Sequence, residues 1–136
     1  MRLITTASTL VAIVAVGLAF APSLSADSAH GDLLLTKTCD TDVHCTVITS
    51  ESGPLPEGTE ADYFPSQIGH VFSSEVILTT PEGDTAIGHC AVSTTTGVGK
   101  CTFTGGTGAL GGFHAIVQVS FADGVFTWEG TYHFVG

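Results

Sequence analysis

The stretch "CTFTGGTGALGGFHAIVQVSFADGVFTWEGTYHF", residues 101–134, begins with a glycine-rich segment and continues as two runs of alternating apolar and polar side chains. Gly106, Gly108 and Gly111 have the G-x-G-x-x-G spacing of a dinucleotide-binding turn, which requires a strand before it and a helix after it. The residues that follow, "FHAIVQVSF" (113–121), alternate as a strand does. The strand context argues against phosphate binding, so we assign the glycines to the backbone of a connection between strands.

The second half of this stretch is predicted to form a β-hairpin around Asp123-Gly124, a dipeptide suited to the two-residue turns that match strand twist. Counting outward from the turn pairs, on one face, Phe121 with Phe126, Val119 with Trp128, Val117 with Gly130, Ala115 with Tyr132 and Phe113 with Phe134. The other face pairs Ser120 with Thr127, Gln118 with Glu129, Ile116 with Thr131 and His114 with His133. A slip of one residue would mix the two faces, so the pattern predicts this register.

Further short strands are predicted before this hairpin, each bounded by turn residues. They span residues 32–39, 45–50, 70–80, 85–93 and 99–104. Helical periodicity is lacking over any useful length, so the chain is predicted to be all-β, either a sandwich or a barrel. Residues 51–66 hold three prolines, two glycines and four acids. They are predicted to form a long loop, which serves either as a lid or binding segment or as a mobile insertion.

Residues 1–26 are predicted to be a secretory signal peptide. Arg2 is followed by an apolar run over residues 10–21 and by small residues over 23–26. The apolar run is shorter than the roughly 20 residues that a spanning helix needs, which favours a cleaved signal over a membrane anchor. Residues 27–136 then form a single secreted domain.

The predicted mature chain is strongly acidic. Its basic residues are Lys37 and Lys100, and it has thirteen Asp and Glu residues, which gives a formal charge of −11. Such a surface repels nucleic acid and anionic membranes, so neither is expected as a partner.

Four cysteines in an exported chain predict two disulfides. Cys90 and Cys101 lie opposite each other if the residues between them form a hairpin, and Cys39 and Cys45 enclose only five residues. We therefore predict the pairs Cys39–Cys45 and Cys90–Cys101. Zinc binding is the alternative, but these spacings do not match recognised zinc-ligand pairs.

The stretch 101–134 resembles the C-terminal part of the allene oxide cyclase barrel family. Chains of that family have a strand ending in T-G-G-x-G, an apolar residue, a glycine, a strand, a hairpin and a closing aromatic strand. The matching positions here are Thr104, Gly105, Gly106, Gly108, Leu110 and Gly112, with Trp128, Tyr132 and Phe134 on the last strand. A similar glycine motif occurs in dirigent proteins. The resemblance implies an antiparallel eight-stranded β-barrel of calycin type around an apolar cavity, with glycines at positive φ in the loop.

A cavity of that kind makes the apolar strand faces candidate ligand contacts. The candidate ligand-binding residues are Phe72, Ser74, Val76, Phe113, Phe126, Trp128 and Phe134. Ser74 is included because it takes the place of a cavity-lining cysteine in the plant enzymes that the chain resembles. Core packing is the alternative role for the phenylalanines.

Two residues are candidates for catalysis. Tyr132 has a hydroxyl that can donate a hydrogen bond from the inward face of the last strand. Glu75 interrupts an apolar strand, and its pKa would be raised if its carboxyl pointed inward. Strand alternation, however, directs Glu75 away from the side that holds Phe72 and Val76.

His114 and His133 face each other in the predicted register, with Glu129 on the same face as His133. Side chains of these types can hold a metal. A solvated cross-strand pair is the favoured interpretation because only the distant His89 is available as a third ligand. No metal is therefore expected.

The resemblance implies a cofactor-independent cyclase or isomerase that folds a lipophilic substrate by shape. Plant enzymes of the family have an acidic residue within the first strand, where this chain has "LLLTKT" (33–38) with Asp32 at the edge. That departure argues against the allene oxide reaction itself. The alternative function is a secreted carrier or dirigent-like protein that leaves its ligand unchanged. A third is an interaction protein whose acidic segment 51–66 meets a partner.

Overall fold

The computed structural model describes residues 30–67 and 69–136, which form a closed eight-stranded antiparallel barrel. The strands are β1 His30–Thr41, β2 His44–Ser52, β3 Glu60–Gln67, β4 Val71–Thr79, β5 Thr85–Ser93, β6 Gly99–Gly106, β7 Phe113–Ala122 and β8 Val125–Phe134. Each strand pairs with the next along the chain, and β1 pairs with β8 to close the barrel. The predicted all-β class and eight-stranded barrel are confirmed. The predicted signal peptide, residues 1–26, lies outside the described residues.

Side-chain alternation determines which residues fill the barrel. Along β1, Leu33, Leu35 and Lys37 are buried, and the residues between them are more exposed. Along β7, every second residue from Phe113 to Val119 is buried in the same way. Successive side chains of a strand point to opposite faces, so one set becomes the interior and the other the outer surface.

The two ends of the barrel are built differently. We call the end formed by the connections 42–43, 94–98 and 123–124 the hairpin end, and the end formed by the connections 53–59, 80–84 and 107–112 the plugged end. At the plugged end, the side chains of Leu55 and Leu110 are buried, with exposures of 1% and 2%. These side chains close that end of the barrel with apolar surface.

The predicted loop 51–66 is wrong in its second half. The connection is only 53–59, since Glu60–Gln67 forms β3, in which Ala61 and Tyr63 are buried. The apolar–polar alternation of β3 was hard to recognise because acidic residues occupy its outward positions and because it contains Pro65. Pro65 is tolerated because β2 pairs with β3 only at residues 60–62, so its missing N–H lies beyond that ladder. The remaining loop packs against the plugged end through Leu55.

The register predicted for the final hairpin is confirmed at every pair, from Phe121 with Phe126 to Phe113 with Phe134. The glycine segment before it contains a short 3-10 turn, Gly108–Leu110, that inserts Leu110 into the core. Gly108 and Gly112 have φ values of +58° and +79°, which glycine adopts without the steric penalty of a side chain. The predicted positive φ in this loop is confirmed.

The turn of this hairpin provides a test of the fold. Asp123 and Gly124 have φ values of +54° and +81°, and a Cβ added at Gly124 would meet no atom within 4 Å. Gly124→Val therefore introduces backbone strain without a collision. We expect it to lower the free energy of unfolding by roughly 1–3 kcal/mol in urea denaturation, because a β-branched residue is penalised at positive φ. Gly124→Asn is the matched control, since Asn tolerates this conformation. Equal midpoints for the two variants would contradict the turn.

Both predicted disulfides are confirmed. Cys39–Cys45 joins β1 to β2, and Cys90–Cys101 joins β5 to β6. In each case the two cysteines are direct cross-strand partners, with Cα–Cα distances of 3.9 and 4.0 Å. Both cross-links lie toward the hairpin end of the barrel.

Candidate ligand-binding cavity

A cavity of about 530 Å³ occupies the hairpin end of the barrel. Aromatic side chains line it: Tyr63, Phe72, Phe121, Phe126 and Trp128. Residues at the ends of β1 and β5 and in the connections that follow them also border it, and most of these are polar: Thr41, Asp42 and 93–97. An apolar interior with polar groups at the opening is typical of sites that bind small molecules.

Lys37 is the buried charged residue of this cavity. It follows Leu33 and Leu35 on the inward face of β1, and its side chain is only 3% exposed. Its neighbours in the sheet are Val47 on β2 and Phe126 on β8. Strand alternation thus places an amine where the two preceding inward positions are leucines.

Three aromatic rings surround the amine of Lys37. Its Nζ lies 4.6 Å from the ring centroid of Phe126 and 5.1 Å from those of Tyr63 and Trp128. Among residues 30–67 and 69–136, no carboxylate lies within ion-pair distance of this amine. The rings favour its protonated form through cation–π attraction, but they do not replace a carboxylate partner.

Burial lowers the pKa of Lys37 from 10.5 to about 7, because an ammonium without a counterion loses its hydration inside the barrel. A substantial fraction of this amine is therefore neutral near pH 7. A neutral amine has a free electron pair and acts as a base or a nucleophile. Burial also raises the pKa of Tyr63, so its phenol remains a hydrogen-bond donor throughout the physiological range.

Trp128 forms part of the same lining and is 1% exposed. Its ring packs 5.5 Å from that of Phe103 in the core. Its Nε1 is fully buried and has no hydrogen-bond partner within the part of the chain that the structure describes. A buried indole N–H usually has an acceptor, so Trp128 has an unused donor available for a ligand.

The four half-cystines also line the cavity. Their disulfides tie β1 to β2 and β5 to β6 at the level of the cavity. These two strand pairs lie on opposite sides of the barrel, and each cross-link restrains the separation of the two strands that it joins. A preformed site loses less conformational entropy when a ligand binds.

Some of the sequence-predicted ligand contacts line the cavity, and the others lie outside it. Phe72, Phe126 and Trp128 line the cavity, whereas Val76 and Phe113 are fully buried in the packed core and lie outside its lining. Their inward orientation agrees with the prediction.

Ser74 and Phe134 also lie outside the lining of the cavity. The Ser74 hydroxyl is buried and donates a hydrogen bond to the Glu75 carbonyl at 2.6 Å. Phe134 is half-buried near the plugged end, where its ring centroid lies 5.7 Å from that of Phe113.

The two catalytic candidates lie away from the cavity. Tyr132 packs against Phe113 and Phe134 near the plugged end, at centroid distances of 6.3 and 5.9 Å. Glu75 lies on the outer face of β4, where its carboxylate is 3.1 Å from Nδ1 of His89. The assignment of Glu75 as an acid acting on a bound ligand is corrected, because the pleat directs its side chain into solvent and the barrel wall separates it from the cavity.

Charged and histidine groups on the outer surface serve other contacts. His44 lies between Asp40 and Glu60, at 2.6 and 3.1 Å, and these hydrogen bonds raise its pKa to about 9. His114 and His133 stack with ring centroids 5.2 Å apart, which confirms that they face each other. Within the described residues, no three His, Cys, Asp or Glu side chains are arranged to hold a metal ion.

Sequence reasoning missed Lys37 and Tyr63 as cavity residues. The signal for Lys37 was present, since it shares the parity of Leu33 and Leu35, but a charge is ordinarily assigned to the outer face. Tyr63 was missed because it lies in the segment that was assigned to a loop.

Comparison with known proteins finds no matching family model, no matching curated protein and no matching solved structure. The functional argument therefore depends on the cavity.

Proposed function

We propose that this protein binds a lipophilic small molecule in the cavity at the hairpin end of its barrel. The supporting observation is a space of about 530 Å³ lined by aromatic rings and bordered by polar connections. An apolar ligand would bury its surface against Phe72, Phe126 and Trp128, which is favourable by roughly 25 cal/mol per Å² of apolar area. The amine of Lys37 and the indole N–H of Trp128 would orient a polar group of the ligand.

A carrier or dirigent-like binding protein fits this geometry better than the cyclase or isomerase that the resemblance implies. Tyr132 lies near the plugged end and Glu75 lies outside the barrel, so neither assigned catalytic group reaches a ligand in the cavity. A cofactor-independent cyclase or isomerase is kept as the second candidate, because the amine of Lys37 faces the cavity and can act as a base there. Recovery of a bound polyene unchanged, rather than isomerised, would distinguish the carrier from the enzyme.

We also propose that the protein is exported. Two disulfides fit an oxidising compartment, since thiols are kept reduced in the cytosol. The described residues contain no helix that is long and apolar enough to cross a membrane.

Fluorescence of Trp128 provides the test of ligand binding. Trp128 is the sole tryptophan of the chain and lines the cavity. We expect titration with a conjugated polyene fatty alcohol to give a saturable quench, because the ligand buries against the indole. No added metal or nucleotide should be needed.

The chain offers a matched pair of variants for this titration. Phe126→Ala removes a ring of the cavity and is expected to weaken binding on the order of 10-fold, through the lost apolar contact. Phe134→Ala removes the same ring near the plugged end and should leave the affinity within about 2-fold. Absence of any quench across a panel of lipophiles would contradict the proposed function, and equal losses for both variants would contradict the assigned cavity.

A further inference from the structure

Lys37 is unusual because a buried lysine normally has a carboxylate partner. Its Nζ instead lies among Tyr63, Phe126 and Trp128, within 5.1 Å of each ring centroid. The side chain lines the cavity, so a ligand that enters from the hairpin end meets this amine. The site therefore combines an apolar compartment with one reactive nitrogen.

We propose that the cavity holds an apolar aldehyde as an imine on Nζ of Lys37. This inference rests on the proposed ligand-binding function and names the ligand's chemical class. The nitrogen lone pair attacks the carbonyl carbon to form a carbinolamine, which then loses the former carbonyl oxygen as water to give the C=N bond. Both protons of that water come from the amine, directly or through solvent, so no oxidant, reductant or metal is required.

The surroundings favour an aldehyde over a carboxylic acid. A carboxylate would have to lose its own hydration and find the amine protonated, which burial disfavours. It would also approach a chain with thirteen acids and pass Asp42 at the border of the cavity. An aldehyde is uncharged and meets the amine in its nucleophilic form.

The same surroundings would preserve the imine once it forms. Hydrolysis needs water at the C=N carbon, and the aromatic rings that line the cavity exclude water from the bound chain. When the imine nitrogen is protonated, the three rings around Nζ stabilise the positive charge by cation–π attraction. The linkage is reversible and releases the aldehyde unchanged.

Reductive trapping tests this inference on the intact protein. The protein is incubated with decanal and sodium cyanoborohydride at pH 7, and the stable secondary amine is located by peptide mapping. Lys37 and Lys100 are the two lysines of the chain, and Lys100 is exposed on β6, so it serves as an internal control. Of the two lysines only Lys37 lines the cavity that would hold the aldehyde beside its amine, so we expect trapping at Lys37 to exceed that at Lys100 on the order of 10²-fold.

Decanol separates the two proposals, because it has the same apolar chain and cannot form an imine. Quenching of Trp128 by decanol, together with equal trapping of decanal at Lys37 and Lys100, would overturn the imine while leaving ligand binding intact. Failure of both decanol and decanal to change Trp128 fluorescence, with no adduct at Lys37, would overturn both. In Lys37→Met the adduct at position 37 should vanish, whereas in Lys100→Met the adduct at Lys37 should form as in the parent protein.

Discussion

Lys37→Met is expected to stabilise the barrel by on the order of 2–4 kcal/mol at pH 6. Methionine has a similar length and no charge, so it fills the space among Tyr63, Phe126 and Trp128 without an unpaired ammonium. The expected gain is smaller than the full pKa shift implies, because the rings already offset part of the cost of burying the charge.

The pH dependence of this gain follows from the lowered pKa. In the folded protein Lys37 loses its proton near pH 7, whereas an unfolded lysine does so near pH 10.4. Between these values the unfolded chain binds more protons, so the free energy of unfolding contributed by Lys37 rises with pH. The advantage of Lys37→Met should therefore be fully present below about pH 7 and decline toward about pH 10.

Urea denaturation of the parent protein and of Lys37→Met, at pH 6 and at pH 10, measures this difference in the free energy of unfolding. His44 acts in the opposite sense, since its pKa is raised to about 9 and the stabilisation it contributes below about pH 6.5 is lost as the pH rises through 9. It is present in both proteins and cancels in their difference. Lys100→Met, at an exposed position, should change stability by less than about 0.5 kcal/mol. A Lys37→Met variant that is less stable than the parent protein at pH 6 would contradict the conclusion that Lys37 is buried without a charged partner.

Gly130→Ala is expected to destabilise the barrel by roughly 2–4 kcal/mol, because a single added methyl group would overlap the neighbouring strand. Gly130 pairs with Val117 on β7 and Leu33 on β1, and a Cβ there would overlap the backbone carbonyl of Ile116. A backbone atom cannot move aside as the end of a flexible side chain can, so the strands must separate.

Gly105→Ala is the matched control for this substitution. Gly105 also lies in a strand, β6, but a Cβ there would have no atom within 4 Å. Its stability should stay within about 0.5 kcal/mol of the parent. Comparison of the urea midpoints checks the pair, and similar losses for both variants would contradict close approach at Gly130 as the cause of its loss.

The stabilising effect expected for Lys37→Met also bears on function. A residue that weakens the fold and lacks a partner is expected where binding or chemistry needs it, since natural proteins give up stability at functional sites. Lys37 meets that description on geometry alone. The mutation that strengthens the barrel is thus the one expected to abolish imine formation.

Much of the fold could be predicted from local pattern. The hairpin around Asp123-Gly124 has a strong turn signal and two contrasting faces, so its register followed from counting. The disulfides followed because each pair lies within a hairpin. β3 was missed because Pro65 and the outward acids Glu60 and Asp62 resemble loop composition.

The site was harder to predict than the fold. Alternation shows whether a side chain points into the barrel or out of it, but it does not show how far along the barrel axis that side chain lies. Trp128 and Tyr132 share the inward face of β8, yet only Trp128 lines the cavity, since Tyr132 lies four residues nearer the plugged end. Depth depends on how all eight strands are staggered, and that stagger is a property of the closed barrel. For Lys37, alternation with Leu33 and Leu35 correctly indicates an inward side chain. Its charge, however, favours assignment to the outer surface, so its place in the cavity was missed.

Closure of the ring by β1 and β8 has a consequence for how the site comes into being. The other seven strand pairings join neighbours along the chain, whereas this one brings together its most distant described strands. Lys37 and Phe126 are partners across that seam, and Trp128 pairs with Leu35 two residues away. Pairings between distant segments form late because of their loop-closure entropy, so we expect the pocket to be completed only when the seam closes. A ligand bound in the proposed site would contact both β1 and β8, and it would therefore stabilise the closed barrel.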